Sequence, residues 1–352
     1  MFNPVTMGGI PAHPYAMCTP SPELALRRPQ PYVGLEIEAE FDTAVFRTPD
    51  AARIEDSGNW SRVADHSLRS HGQYQGWEYV SCPTLSQPTM LTELLAELEP
   101  VMQGRFNTPR AGVHIHVNCK PLVAPEFLAG LFAYYMLEPM IYDYVGGGRE
   151  QNIFCVPLRE EVTAAATLSQ EVARVMLSDT RMPVVSEWHP QVNLAIQQAP
   201  KYLGLGLRTL NAHGTVESRH MVTPSGSDWA VQVRNMARVM AKLFAPSTAH
   251  LESEEQLLYS VLSRMFDAAK LMRATIVSDG HDRPVSRYRR AVALRDGLYG
   301  AMRDDEMQHV TLEGWLDGLQ RQAQMTEVAE PLLAGAPLLI DTLSFIHNQR
   351  GN

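Results

Sequence analysis

Tyr32-Val33-Gly34-Leu35-Glu36-Ile37-Glu38-Ala39-Glu40-Phe41-Asp42 alternates apolar or small residues with polar ones for eleven positions. Successive side chains of a strand point to opposite faces, so Val33, Leu35, Ile37, Ala39 and Phe41 share one face and Glu36, Glu38 and Glu40 the other. This is the pattern of a half-buried strand. It returns in Val113-His114-Ile115-His116-Val117-Asn118, with two histidines and Asn118 on the polar face. It returns again in Thr215-Val216-Glu217-Ser218-Arg219, where Glu217 and Arg219 share a face. Strands of this kind separated by helical stretches predict an α+β fold built on an antiparallel sheet.

The helical stretches lie at about 89–103, 124–138 and 159–178. The second should stop or bend at Glu138-Pro139, because proline lacks the backbone donor and restricts the residue before it. After Ser227 strands nearly disappear. Ser227-Asp228 reads as an N-cap for a helix to about Leu243, and helical periodicity continues over Glu252 to Ile276, 284–303 and 311–325. The expected organisation is a proline-rich arm at 1–30, a catalytic domain at 31–226, and a mostly helical C-terminal region at 227–352 packed on it.

With 45% hydrophobic and 20% charged residues, the 352-residue chain has the composition of a globular protein. A formal net charge of -9 gives no basic field for a phosphate backbone or an anionic membrane, so neither nucleic acid nor membrane is expected as a partner. Cys18, Cys82, Cys119 and Cys155 include no C-x-x-C pair and read as reduced thiols. The longest apolar stretch, Phe127 to Leu137, is too short to span a bilayer, and the expected location is cytoplasmic.

Each polar pair has an ordinary reading when taken singly. Glu36 and Glu38 stand about 6.6 Å apart on an ideal strand and could face solvent. His114 and His116 could be exposed side chains or ligands of metal or phosphate, and Glu217 with Arg219 could be a routine ion pair. If the three strands share a sheet, however, their polar faces converge on an acidic bowl edged by imidazole and guanidinium. Carboxylates suit hard divalent cations, and arginine with those cations offsets polyphosphate charge. Histidine is a less natural Mg²⁺ ligand, so one of the two histidines could instead contact phosphate.

Between the first two polar strands come Asp65-His66-Ser67-Leu68 and Gly76-Trp77-Glu78-Tyr79-Val80-Ser81-Cys82-Pro83. The ordered set Gly34-x-Glu36-x-Glu38, Asp65-x-Ser67-Leu68, Glu78 with Ser81-x-Pro83, Gly112-x-His114-x-His116 and Gly214-Thr215-Val216-Glu217-x-Arg219 resembles the amidoligase family over about 32–225. That family belongs to the superfamily of glutamine synthetase and glutamate–cysteine ligase. The resemblance implies a curved antiparallel sheet of that type with flanking helices, and an ATP-dependent carboxylate–amine ligase using Mg²⁺ or Mn²⁺.

By the same resemblance Glu36, Glu38, Glu78, His114 and Glu217 would hold the metal ions. His116, Arg219, Lys201 and Ser67 would bind the nucleotide, and Arg219, Glu78 and Arg149 would form the catalytic set. Arg149, Asn152 and Cys155 also resemble a family segment near the carboxylate substrate. The partners implied are a small-molecule or peptide carboxylate and an amine. A glutamine amidotransferase or a glutamyl cyclotransferase is a further expected partner.

Two positions depart from the family pattern. Gly206 stands where asparagine is usual, removing a polar contact to substrate, and Ser218 replaces a large apolar residue, which bears on packing. Gly146-Gly147-Gly148 reads as a loop, since no Gly-Lys-Ser/Thr follows as in a Walker motif. Two other classes compete with the ligase. A metal-dependent hydrolase could use the H-x-H strand, but His189, His213 and His220 lack a strand-end arrangement, and a cupin would need a glutamate where Lys120 and Pro121 stand. A non-catalytic binding or structural protein could keep the ligase fold.

Overall fold

The computed structural model describes residues 31–43, 58–106, 108–146, 149, 152–178, 184–188, 190–224, 226–247, 253–278, 314, 317 and 330–350. The expected arm at 1–30 and the helix at 284–303 lie outside them, as does most of the helix at 311–325. The strands are β1 (Tyr32–Asp42), β2 (Trp60–Val63), β3 (Tyr74–Ser81), β4 (Thr84–Leu85), β5 (Gly112–Asn118), β6 (Leu205–Gly206) and β7 (Thr215–Val222). They form one open sheet in the order β2-β3-β1-β5-β7-β6, with β4 beside β1. Every named strand pair is antiparallel.

The helices are α1 (Pro88–Met102), α2 (Ala124–Val145), α3 (Val162–Ser178), α4 (Pro190–Gln198), α5 (Thr209–His213), α6 (Trp229–Leu243), α7 (Glu254–Ser278) and α8 (Glu330–Arg350). The molecule is thus a mixed α/β protein with an antiparallel sheet and flanking helices. No helix among the described residues is long and apolar enough to cross a membrane.

Val33, Leu35, Ile37, Ala39 and Phe41 of β1 enter the core with Val113, Ile115 and Val117 of β5. The opposite face of β1 is covered as well. Glu36 is 6% exposed, Glu38 7% and Glu40 fully buried, so the expectation of a half-buried strand fails on its polar side. Alternation identifies two chemically different faces; it does not reveal whether the polar one meets water or protein.

Helix α2 is apolar on nearly all sides and buried over most of its length, as a central helix must be, and it packs against α3, α6, α7 and α8. It does not end at Pro139 but continues to Val145. Proline at this position cannot donate to the Tyr135 carbonyl four residues back. Arg159 replaces the missing donor, its Nε bonding Tyr135 O at 2.8 Å and its Nη2 bonding Met136 O at 2.8 Å. Glu138 reciprocates, accepting the backbone N–H groups of Leu158 at 2.7 Å and Arg159 at 2.9 Å.

The remaining helix boundaries differ from the sequence reading by small, explicable amounts. The stretch at 159–178 opens as a 3₁₀ turn, Leu158–Glu160, before α3 begins. Asp228 does occupy the N-cap position of α6, but its carboxylate accepts from Gln232 Nε2 at 2.8 Å and caps no backbone N–H.

Replacing Arg159 by leucine should lower the unfolding free energy by about 1–3 kcal/mol, the cost of leaving buried carbonyls unpaired. In a Pro139→Ala background the same change should cost less, because residue 139 then supplies its own N–H to Tyr135. A urea-denaturation double-mutant cycle reads the difference, and equal losses in both backgrounds would remove Arg159 from this role.

Candidate active site

The register of the sheet brings the polar positions together. Glu36 on β1 lies opposite His114 on β5, Glu38 lies opposite Glu78 on β3, and His116 lies opposite Glu217 on β7. His114 Nδ1 is 3.1 Å from Glu36 Oε2 and 3.3 Å from Glu217 Oε1, while His116 Nε2 is 3.1 Å from Glu36 Oε1. Arg219 Nη2 reaches Glu217 Oε1 at 2.6 Å.

Pairing between β5 and β7 slips by one residue, from Ile115↔Ser218 to Val113↔Met221. A bulge therefore sets both Arg219 and His220 against the single residue His114. Arg219 joins the carboxylates, whereas His220 is buried among Tyr134, Tyr142 and Ser218.

Several residues fix these side chains. Thr215 Oγ1 lies 3.0 Å from His116 Nδ1, and Gly112 N donates to Glu38 Oε2 at 2.6 Å. A Cβ at Gly112 would stand 2.3 Å from Arg149 Nη2, so the missing side chain leaves that guanidinium its room beside Glu38. Arg149 comes from the segment after α2, is 4% exposed, and donates from Nη2 to Met221 O at 3.1 Å. The third carboxylate of the β1 row has a different task. Glu40 accepts the Arg69 backbone N–H at 2.7 Å and pairs with its guanidinium at 2.5 Å, tying the β2–β3 loop across the sheet.

Burial alone would raise Glu36, but the charge of His116 and the bonds from both imidazoles hold it well below the usual carboxylate range. Burial would lower His114, yet its bond to Glu36 and the charges of Glu38 and Glu217 push it up to about 9. Glu78 is raised to about 9, first by burial and then by the neighbouring charge of Glu36. Glu38 is raised mainly by burial, with His114 and the Gly112 N–H offsetting part of the effect. Near neutral pH the metal-free cluster thus retains protons that a cation would displace.

Two sets of ligand atoms among the described residues could hold a metal ion: Glu36, His116 and Glu217, and Glu36, Glu78 and His114. In each, the atoms lie within 4.8 Å of one another, and Glu36 belongs to both. The expected residues Glu36, Glu38, Glu78, His114, His116, Glu217, Arg219 and Arg149 therefore meet in one cluster. His116, expected at phosphate, falls within a ligand set.

Lys201 and Ser67 are not brought into this cluster by any side-chain bond. Lys201 is exposed with its ammonium 5.0 Å from the Tyr202 ring centroid. Ser67 is exposed and donates through N and Oγ to Asp65, each at 2.8 Å. Cys155 is buried beside the Tyr142 hydroxyl, and burial pushes its thiol up to about 11, which leaves it unsuited to act as a nucleophile.

Asp65 was not among the expected site residues, yet its carboxylate bonds with Glu38 and its charge is felt by Glu78. Its sequence signal was its place in the motif Asp65-x-Ser67-Leu68. The two departures from the family pattern also acquire local reasons. A Cβ on Gly206 would lie 2.8 Å from Glu217 Oε2, so glycine leaves that carboxylate its room. Ser218 is buried with its Oγ 2.8 Å from His220 Nδ1, forming a polar contact that a large apolar residue could not make.

His114 and Glu78 both hold protons more tightly in the folded state than in the unfolded chain, so metal-free stability should fall as pH rises from about 6.5 through about 9. Thermal melts in EDTA across that range test the sign. Glu78→Gln should flatten the slope, and a melting temperature that rises with pH would contradict the proton assignment.

The sequence family described as "Putative amidoligase enzyme" matches residues 20–221, more than half of the chain. The matched span holds every residue of the cluster from Glu36 to Arg219. No curated protein matches the chain. The match spans the strands β1 to β5 and nearly all of β7, and the chain belongs to this family.

Proposed function

We propose that this protein is an ATP-dependent carboxylate–amine ligase whose sheet is of the glutamine synthetase and glutamate–cysteine ligase type. The observation carrying this reading is the shared carboxylate Glu36, common to two ligand sets, with the Arg219 guanidinium near it and paired to Glu217. Each ligand set pairs two carboxylates with a single imidazole, a donor balance that suits Mg²⁺ or Mn²⁺ better than a histidine-rich zinc hydrolase centre. Bound there, the divalent cations would neutralise polyphosphate charge and help align the reactants.

A carboxylate oxygen of the acid attacks the γ-phosphorus of ATP, the bond to ADP breaks, and an acyl phosphate results. The nitrogen of the amine then attacks the acyl carbon, loses a proton and expels inorganic phosphate, leaving an amide. The chain's own contribution is positioning and charge stabilisation. Arg219 is braced by Glu217 and its Nε has no acceptor among the described residues, so it can donate to the transferring phosphoryl group. Arg149 is held rigidly by Met221 O and likewise has a buried Nε without an acceptor, which suits it to a substrate carboxylate. Glu78 sits at the half-buried edge of the cluster and completes one ligand set. Asp65, in the loop tied by Glu40 and Arg69, adds negative charge near Glu78 and helps to raise it.

Mass spectrometry of a metabolite extract incubated with protein, ATP and Mg²⁺ should reveal a product equal to two metabolites minus water, accompanied by ADP. Zinc-dependent hydrolysis of the extract with no ADP formed would instead support the hydrolase class. With the substrates in hand, Arg219→Ala should reduce kcat by about 10²–10³, the typical cost of one charge-stabilising donor. Glu36→Gln, which removes a ligand from both sets, should abolish turnover while leaving the melting temperature within a few degrees. Near-normal ADP release by either variant would end the assignment. EDTA should stop the reaction, with Mg²⁺ or Mn²⁺ restoring it.

A further inference from the structure

Apolar side chains on a protein surface are ordinary when scattered and informative when they cluster. Three of the seven large apolar side chains exposed among the described residues fall together: Ile153 at 73%, Phe154 at 46% and Tyr202 at 37%. The Phe154 and Tyr202 rings meet edge to face with centroids 5.1 Å apart, and the Lys201 ammonium lies 5.0 Å from the Tyr202 ring. Two aromatic rings held against each other in water leave apolar area that a ligand would bury.

Backbone bonds tie this patch to both arginines of the site. The turn carrying Ile153 and Phe154 starts from Arg149, whose carbonyl accepts the Asn152 N–H at 2.9 Å. Asn152 closes the turn, its Oδ1 accepting the Phe154 N–H at 2.9 Å and its carbonyl the Cys155 N–H at 2.9 Å. Val156 N then donates to Tyr202 O at 2.8 Å, Gly204 N to Val156 O at 2.7 Å, and Arg219 N to Gly204 O at 2.9 Å. Two residues of chain span at most about 7 Å, so the Tyr202 backbone lies within that distance of the residue bonded to Arg219.

Arg149 is 4% exposed, and its Nε and that of Arg219 are buried without an acceptor among the described residues. The charge of Arg219 also acts on Arg149, and two neighbouring cations withdrawn from water favour an anion beside them. Donors for an anionic group thus stand next to an apolar surface with a third cation, Lys201, at its rim. We propose that the acid substrate carries an aromatic or branched aliphatic group near its carboxylate, with the carboxylate meeting Arg149 and the apolar group lying on Ile153, Phe154 and Tyr202. A small or wholly polar acid would leave those side chains in water. This assignment rests on the ligase reading and deepens it, since it names the chemical class of the acid and the residues that select it.

Hydroxylamine in place of the amine makes the acid visible. Once the acid's oxygen has taken the γ-phosphoryl group and ADP has left, the hydroxylamine nitrogen attacks the acyl carbon, loses a proton and expels phosphate, giving a hydroxamate. The full chain is incubated with ATP, Mg²⁺, hydroxylamine and a metabolite extract supplemented with equal amounts of N-acetylphenylalanine, N-acetylleucine, N-acetylglycine and N-acetylserine, and the hydroxamates are identified by mass spectrometry. Those of acids with an aromatic or branched aliphatic group should exceed those of small or polar acids by about tenfold or more, the scale of a hydrophobic contact in substrate discrimination. Phe154→Ser and Tyr202→Ser, both at exposed positions, should each cut that ratio by about fivefold or more. Dominance of small or polar acids, or a ratio unchanged in both folded variants, would overturn the assignment and leave the ligase reading standing. An unchanged ratio in variants that lose a wild-type dimer by light scattering would give the patch to a second copy of the chain and overturn it equally. If no acid gave a hydroxamate, the ligase reading would itself fail and this one with it.

Discussion

Carboxylates buried side by side repel one another and lose their hydration, so a protein can keep several together only by interleaving positive groups or cations. Glu36, Glu38, Glu78 and Glu217 meet this constraint through sheet register, which sets His114 beside Glu36, His116 beside Glu217 and Arg219 against Glu217. The apolar faces enforce the arrangement. A slip of one residue would turn Leu35, Ile37, Ile115 and Val117 out of the core and carry every charge in the opposite direction. Core packing and site chemistry are thus one constraint, expressed on the two faces of the same strands.

A polar layer behind the sheet supports the bulged strand. His220 is held down at about 3, mainly by burial and also by the Arg149 charge, so it stays neutral and bonds Ser218 through one nitrogen and Tyr134 through the other. Tyr134 continues to Glu138, and Glu138 holds the backbone of Leu158 and Arg159. The bonds that let α2 run through Pro139 therefore also anchor the far end of the segment that delivers Arg149. Thr223, bonding the carbonyls of Glu38 and Gly112, closes the front in a similar way.

Much of this was legible in the sequence because period two is a local property. Val33 to Phe41, Val113 to Val117 and Glu217 with Arg219 announced their faces without any knowledge of neighbours. What stayed hidden depended on distant partners. Pro139 looked like a helix end because Arg159, the donor that replaces its missing N–H, lies 20 residues further on. Asp65 stood in a motif but gained a place at the site only because the Arg69–Glu40 pair ties its loop beside Glu38. Helices α4 and α5 are too short to give a strong periodic signal, so neither was among the expected helices. Lys201 and Ser67 were singled out by motif resemblance alone, and a motif specifies neighbours in sequence but not the direction of a side chain.

The bulge in β7 has an evolutionary corollary. A regular strand would commit alternate residues to opposite sides throughout, so that altering the catalytic surface would disturb the spacing of its backing. The extra residue at Arg219 and His220 uncouples the two, letting one short segment serve both sides of the sheet. Lineages of this fold could thus drift in the hydroxyl and phenol contacts at the rear while the guanidinium stays in place, and a gap-free comparison of strands that ignored the insertion would pair Arg219 with the wrong residue in any relative lacking it.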